Sequence, residues 1–455
     1  RGAAGSGKTS IALHRIAYLL YHDRKNLKSS NILILSPNSI FSDYISHILP
    51  ELGEENIREM SFDLFAYKEL KDTVSDCEDR YDQIERSLTM PDVPSLYKEK
   101  QSREFLNQME GYLTTLEDEL MNFHDVEYKN FTRKEEEIIE LFYFKFQDIP
   151  LLSRMEAVAE NFIDEVETLR DSDMDEEERA LVMEKFMSMY ETQDLYVIYS
   201  KFLKSCGYPE LPNVQLSDRK LQYEDVYPVL YLKYRLFRQS SHNGIKHLVV
   251  DEMQDYSCLQ YLIIKMMFPC RMTILGDKAQ TMEEKNQDVL AFLPKIFGRT
   301  IRKIIMNKSY RNTIEIAEYA AKFTGEKDLE YLERHGKPVT EKTFDSDEEL
   351  LNELIREADA GMDKYETAAV LTETMDEAYT MTRMLSNRGL PVNCIDRDSS
   401  TFEKGVTVTT FYMAKGLEFD QVFGVFPKKK NPMTGQAKYI CATRALHELY
   451  MYERA

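Results

Sequence analysis

Eight residues near the start of the chain, Gly2-Ala-Ala-Gly-Ser-Gly-Lys-Thr9, constrain most of what can follow them. The pattern GxxxxGK[ST] sets glycines ahead of a lysine and a hydroxyl, so the main chain can wrap closely around an anion. Backbone N–H groups from Gly2, Ala3, Ala4, Gly5, Ser6 and Gly7 suit phosphates, Lys8 suits the outer phosphates, and the Thr9 hydroxyl suits magnesium. Such a loop needs a helix behind it and a strand beside it. Thr9 to Tyr21 places apolar residues at helical spacing, and Asn31-Ile-Leu-Ile-Leu-Ser36 reads as a compact buried strand. Together they predict a βαβ unit of a parallel α/β sheet.

A second feature points the same way. Leu248-Val-Val-Asp-Glu252 ends an apolar run in two carboxylates. On its own such a pair also fits a solvated turn. Behind a phosphate loop, Asp251 suits a magnesium ion held through water, and Glu252 suits polarisation of an attacking water. The site so predicted takes ATP and Mg2+.

Between these features the pattern changes. From about residue 66 to 240 it becomes long and helical with acidic faces, as in Tyr97 to Met121 and Asp175 to Leu203. This stretch holds 22 Lys and Arg against 39 Asp and Glu, most of the net charge of -21. Strand-like runs resume at Lys246 to Val250 and Arg271 to Leu275, so residues 66–240 read as an insertion within one α/β domain. A second α/β unit follows Thr300, with strands near Thr367 to Leu371, Val392 to Ile395, Val406 to Phe411 and Gln421 to Phe426. At 455 residues the chain exceeds a single core. The expected division is 1–65 with 241–300, then 66–240, then 301–455.

Composition excludes some classes. Hydrophobic residues make up 43% and charged residues 30%, as in a globular chain, and no apolar run approaches a membrane span. The six cysteines are scattered, with no CxxC pair, which predicts reduced thiols in a cytoplasmic protein. The acidic balance opposes a protein that lives mainly by phosphate contacts. Lys428-Lys-Lys430 reads as a solvated loop, and His14 and His247 as packing or hydrogen-bonding residues. The chain opens at Arg1 without an initiator Met, which predicts a piece of a longer protein.

At this point the residues resemble a known family. Asp251-Glu-Met-Gln-Asp255 looks like the DExQD box of superfamily 1A helicase-type ATPases, the UvrD/Rep-like motors, and Gly276-Asp-Lys-Ala-Gln280 looks like their third motif. Asn307-Lys-Ser-Tyr-Arg-Asn312 is similar to their NYRS segment, Lys415-Gly-Leu-Glu-Phe-Asp420 to the fifth motif, and Ala442-Thr-Arg-Ala445 to the sixth. The resemblance implies two RecA-like P-loop NTPase lobes with ATP between them and a large, mostly helical acidic insertion in the first. It would make Gln254 and Gln280 γ-phosphate sensors and stack Tyr310 on the base. Arg311 and Arg444 would reach the γ-phosphate from the second lobe, Glu418 would bond the ribose, and Arg15 would lie near the nucleotide.

Within the superfamily the nearest likeness is to the HelD or helicase IV-like branch, through Ala12 to Tyr21, Leu35-Ser-Pro-Asn38 with Tyr44-Ile45, and Tyr223-Glu-Asp225. That branch implies bacterial RNA polymerase as partner, with ATP used to remodel or recycle it. An acidic insertion would suit a DNA-binding channel by mimicking or repelling phosphates. The chain departs from unwinding relatives in two ways. Residues 311–415 leave no room for a large inserted subdomain in the second lobe. No Trp exists, and Met282, Glu283 and Glu284 stand where an aromatic follows the third motif. The alternative readings are a DNA helicase or translocase in repair, contacting DNA more than RNA, and a nucleotide-gated scaffold that does not hydrolyse.

Overall fold

The computed structural model describes residues 8–23, 25–36, 57–90, 96–237, 242–277, 289–298, 301–306, 308–309, 311–324, 330–331, 333–397, 399, 403–429 and 431–454. The chain runs through α1 (Lys8–His22), β1 (Ile32–Leu35), β2 (Arg58–Met60) and α2 (Phe62–Glu69). A helical stretch follows that includes α3 (Arg80–Thr89) and α4 (Tyr223–Leu236), before the chain returns with β3 (His247–Val250) and β4 (Arg271–Ile274).

These four strands form a parallel sheet in the order β2-β1-β3-β4. β1 and β3 are apolar and buried along their whole length because both sheet faces are covered. Ile16 and Leu20 of α1 pack with Ile32, Ile34 and Val249 on one face. Leu33, Leu35, Leu248 and Val250, the alternate residues, join a core with α2 and α4 on the other. The predicted helix and strands appear within a residue or two of their expected ends. β2 had not been anticipated, since Arg58-Glu-Met60 lacks an apolar run.

The same core continues without a gap from the sheet into the helical stretch, through Tyr227, Leu230 and Leu232 of α4 to Phe202, Phe186 and Ile163. α4 is the central pillar, buried from Tyr223 through Leu232. The boundary drawn at residues 65/66 falls inside α2, which starts where the Ser61 hydroxyl accepts from the Leu64 N–H. Tyr97 to Met121, expected as one helix, is two: Tyr97–Lys100 and Arg103–Glu119, the second capped by Ser102. Asp175 to Leu203 is likewise broken between Met187 and Asp194, which caps the helix Leu195–Ser205. In both cases a polar N-cap restarted a periodicity that the apolar pattern alone had joined.

The second lobe carries a six-stranded parallel sheet, β5 (Thr340–Phe344), β6 (Thr367–Thr372), β7 (Val392–Cys394), β8 (Gly405–Thr410), β9 (Phe419–Pro427) and β10 (Ala445–Arg454), in the order β5-β10-β9-β6-β8-β7. Its faces are covered by two separate clusters. One includes α6 (Thr434–Arg444) and the other α5 (Met375–Asn387). The architecture is α/β with two parallel-sheet lobes. Among the described residues no helix is long and apolar enough to cross a membrane.

Candidate nucleotide site

Both lobes offer the carboxyl ends of their strands, the usual place for ligands on open parallel sheets. In the first lobe Asp251 follows β3 directly, its N–H donating to the Leu35 carbonyl at 2.9 Å, and it is buried. The next residue, Glu252, turns the chain through a left-handed conformation (φ 49°), rare for a residue with a side chain. Its N–H donates to the Asp251 carboxylate at 2.8 Å. The turn follows directly on β3, so two adjacent carboxylates stand at its carboxyl end.

Gln254 is buried and bonded both ways. Its Nε2 donates to Glu252 Oε2 at 2.6 Å, and its Oε1 accepts from the Asp277 N–H at 2.9 Å. The carboxamide therefore links the acid pair to the segment after β4. Gly276 makes this approach possible. A Cβ there would meet Met253 Cγ at 2.3 Å, Gln254 Oε1 at 2.5 Å and the Met253 backbone nitrogen at 2.7 Å. Gly276→Ala is expected to cost about 1–3 kcal/mol of stability through overpacking and, by displacing Gln254, to slow phosphate release at least ~10-fold. Thermal unfolding and an ATPase assay check both halves; a variant matching the parent in each would refute the role given to this glycine.

The second lobe supplies the arginines. Arg444 closes α6, is fully buried, and donates to the Leu417 carbonyl at 3.2 Å. Burial, and next the Arg311 guanidinium, press its pKa below the ordinary arginine value, while Glu252 and Glu418 pull the other way. An arginine stays charged under such pressure, so the site holds a buried cation close enough to the Glu252 carboxylate to feel its charge. Arg311 forms an ion pair with Glu418, and both remain partly exposed. Glu252, Arg311, Arg444 and Glu418 thus form one electrostatic group that spans the two lobes.

Two residues not singled out in advance hold the lobes at this point. The Asp255 carboxylate takes Lys415 Nζ at 2.6 and 2.7 Å, and both side chains are only 4% exposed. Arg80 of α3 lies 3.2 Å from the same carboxylate. Both acid and lysine belong to recognised motifs; their pairing had no local signal, because 160 residues separate them.

Other expected residues fall elsewhere. Gly2 to Gly7, Gln280 and Tyr310 lie outside the described residues, as do the side chains of Lys8 and Thr9, whose backbone opens α1. Arg15 is exposed on α1, and its charge acts on His247, at the opposite end of β3 from Asp251. The structure does not bring it into the group. His247 itself is buried against Thr273 Oγ1 at 2.9 Å, and burial lowers its pKa to about 4. Glu224 and Asp225, noted as branch marks, are occupied inside the helical stretch by Arg86 and by Lys100 with Tyr199.

A family model described as the UvrD/REP helicase N-terminal domain matches residues 1–282. Among solved structures, the C-terminal domain of a possible DNA helicase from Lactobacillus plantarum WCFS1 aligns at 24% identity, covering 32% of this chain and 87% of that one, with a TM-score of 0.28. No curated protein matches. With more than half of its residues under that one family model, and with the acid pair, the linking glutamine and the second-lobe arginines disposed as described, the chain belongs to the UvrD/REP helicase family.

Proposed function

We propose that the chain is an ATP-hydrolysing motor core whose nucleotide lies between the lobes. The observation that supports this best is the buried Arg444 of the second lobe, bonded to the Leu417 carbonyl and within electrostatic reach of Glu252 of the first. In this reading Gly2 to Thr9 hold the phosphates, and Thr9 with Asp251 holds magnesium, which neutralises phosphate charge when bound. Asp251 suits that role as an acceptor at a strand mouth, oriented by its bond to the Glu252 N–H. Glu252 orients and polarises the attacking water, and Gln254 fixes the rotamer of Glu252. Arg311 and Arg444 stabilise charge as the terminal phosphate leaves, and the Arg311–Glu418 pair rearranges as Glu418 turns to the ribose. Gln280 and Tyr310 complete the set as γ-phosphate sensor and base-stacking residue.

Because those arginines belong to the far lobe, triphosphate draws the lobes together and hydrolysis releases them. Steady-state phosphate release with ATP and Mg2+ tests the reading. Arg444→Ala is expected to lower turnover about 10³-fold, as loss of a transition-state arginine does. Activity indistinguishable from the parent would reject it.

For the partner we propose bacterial RNA polymerase, as in HelD-like proteins, engaged by the acidic helical region 66–240 as a unit that moves with the first lobe. The excess of 39 acids over 22 bases in that region supports a partner with a basic channel. Retention on core polymerase at moderate salt tests this, and failure to bind removes the partner while leaving the motor intact. The family also supports a DNA helicase or translocase. Strong stimulation of ATPase by single strands, with binding that weakens steeply in salt, would select that reading instead.

A further inference from the structure

One helix belongs to neither sheet yet touches both lobes beside the nucleotide site. α3 starts at Asp79, which caps it in a reciprocal box with Asp82. Its apolar residues Tyr81, Ile84 and Leu88, at spacing i, i+3 and i+7, pack into the second lobe's core with Tyr412 and Met413; Ile84 is 3% exposed. Its acids reach the same lobe. Glu85 accepts from the Tyr412 hydroxyl and from the Met375 N–H at 3.2 Å, where α5 begins, and Arg397 donates to Asp82 at 2.6 Å.

The opposite flank of α3 grips the first lobe and the helical stretch. Arg80 donates to the Asp255 carbonyl at 2.5 Å besides facing its carboxylate, and the Arg80 N–H donates to Asp63 of α2 at 3.2 Å. Arg86 pairs with Glu78 at 3.0 Å and with Glu224 of α4. A cavity of about 40 Å³ opens where α2, α3 and the second lobe meet, walled by Asp63, Arg80, Asp255, Tyr412 and Lys415. Directional polar bonds ring this small gap, beside the apolar packing of Tyr81, Ile84 and Leu88.

Its position relative to the chemistry is short in chain terms. Asp255 stands three residues after Glu252, and Lys415 three residues before Glu418, with Arg444 bonded to the intervening Leu417 carbonyl. A shift of Asp255 against Lys415 therefore moves the second-lobe arginines relative to Glu252.

We propose that Arg80 is a positioning residue for nucleotide hydrolysis, the outer member of an Arg80–Asp255–Lys415 clamp through which the helical region sets the meeting of the two lobes. This rests on the hydrolase reading above. Asp255 keeps Lys415 as a partner when Arg80 is replaced, and the backbone N–H of residue 80 still donates to Asp63. What is lost is the guanidinium's bond to the Asp255 carbonyl and its charge beside the Asp255 and Asp63 carboxylates.

The test uses the whole chain with Arg80→Ala, Arg80→Lys, Asp255→Asn and Arg80→Ala/Asp255→Asn. In steady-state phosphate release, Arg80→Ala is expected to lower kcat about 10-fold, within the range of a coupling between sites, with KM for ATP within about 2-fold. Arg80→Lys restores part of the rate, and adding Asp255→Asn to Arg80→Ala costs less than its separate effect. Energy transfer between dyes at exposed positions 64 and 379, one on each side of the junction, is expected to show a broader distance distribution for Arg80→Ala. An unchanged kcat with an unchanged distribution overturns the proposal, as does a raised KM at constant kcat. If the parent chain releases no phosphate, the hydrolase reading fails and the distance distribution alone decides whether Arg80 couples the lobes.

Discussion

Glu252→Gln is expected to slow phosphate release by about 10²- to 10⁴-fold, the usual yield of a positioned general base, while ATP affinity stays close to that of the parent. The substitution keeps the side chain's length, and the new amide oxygen can accept from Gln254 Nε2 as the carboxylate does, leaving the Gln254 bond to the Asp277 N–H in place. It removes the negative charge assigned to orienting a water, and with it the charge felt by the buried Arg444. Loss of turnover without loss of binding is the signature of an interaction made in the transition state. Fluorescent-nucleotide titration beside an ATPase assay separates the two. Turnover within a few-fold of the parent would deny Glu252 its role and return the acid pair to the status of a structural turn.

The second large effect is on the fold. Lys100→Met is expected to cost about 3–5 kcal/mol, because it strips the cation from a buried carboxylate. Lys100 Nζ lies 2.5 Å from Asp225 Oδ1, both side chains are 4% exposed, and among the described residues the Tyr199 hydroxyl is the donor that remains. Burial already holds the Asp225 pKa above its ordinary value despite those donors. A carboxyl whose folded pKa is raised takes up protons on folding, so it subtracts stability progressively as pH rises above its unfolded value. The deficit of Lys100→Met should therefore be smaller at pH 5 than at pH 8 in urea unfolding. Lys100→Met with Asp225→Leu should regain most of the loss, since no orphan charge is left. A double variant as unstable as the single one would mean that shape, not charge, sets this site.

Much of the site was legible because its residues sit in short local patterns. The acids after Leu248-Val-Val250 and the arginine before Ala445 are set by nearest neighbours along the chain, and the sheet topology places Asp251 directly after β3 and Arg444 directly before β10. β6, β8 and β9 were equally plain, as apolar runs of a sheet covered on both faces. β2 and β5 were not, since an edge strand such as Arg58-Glu-Met60 or Thr340-Glu-Lys-Thr-Phe344 carries charged residues that local pattern assigns to loops. The clamp was beyond reach for another reason. Residues 80, 255 and 415 meet only through the packing of three separate elements, and nothing in the periodicity of α3 says that its apolar stripe is meant for the second lobe. The split helices mark the remaining shortfall: a serine or aspartate that caps a new helix looks, in a long amphipathic stretch, like one more solvent-facing residue.

The seamless interior beneath the first sheet has a practical corollary for anyone dissecting this protein. Phe62, Phe65, Leu33 and Leu248 share their greasy surroundings with Tyr227, Leu230 and Ile263, so the first lobe has no floor of its own. Trimming the gene to a minimal nucleotide-binding fragment by cutting out everything between α2 and β3 would bare that underside to water. The product to expect is an aggregating polypeptide, and cutting away only the helices beyond α4 would bare the apolar side of α4 in the same way.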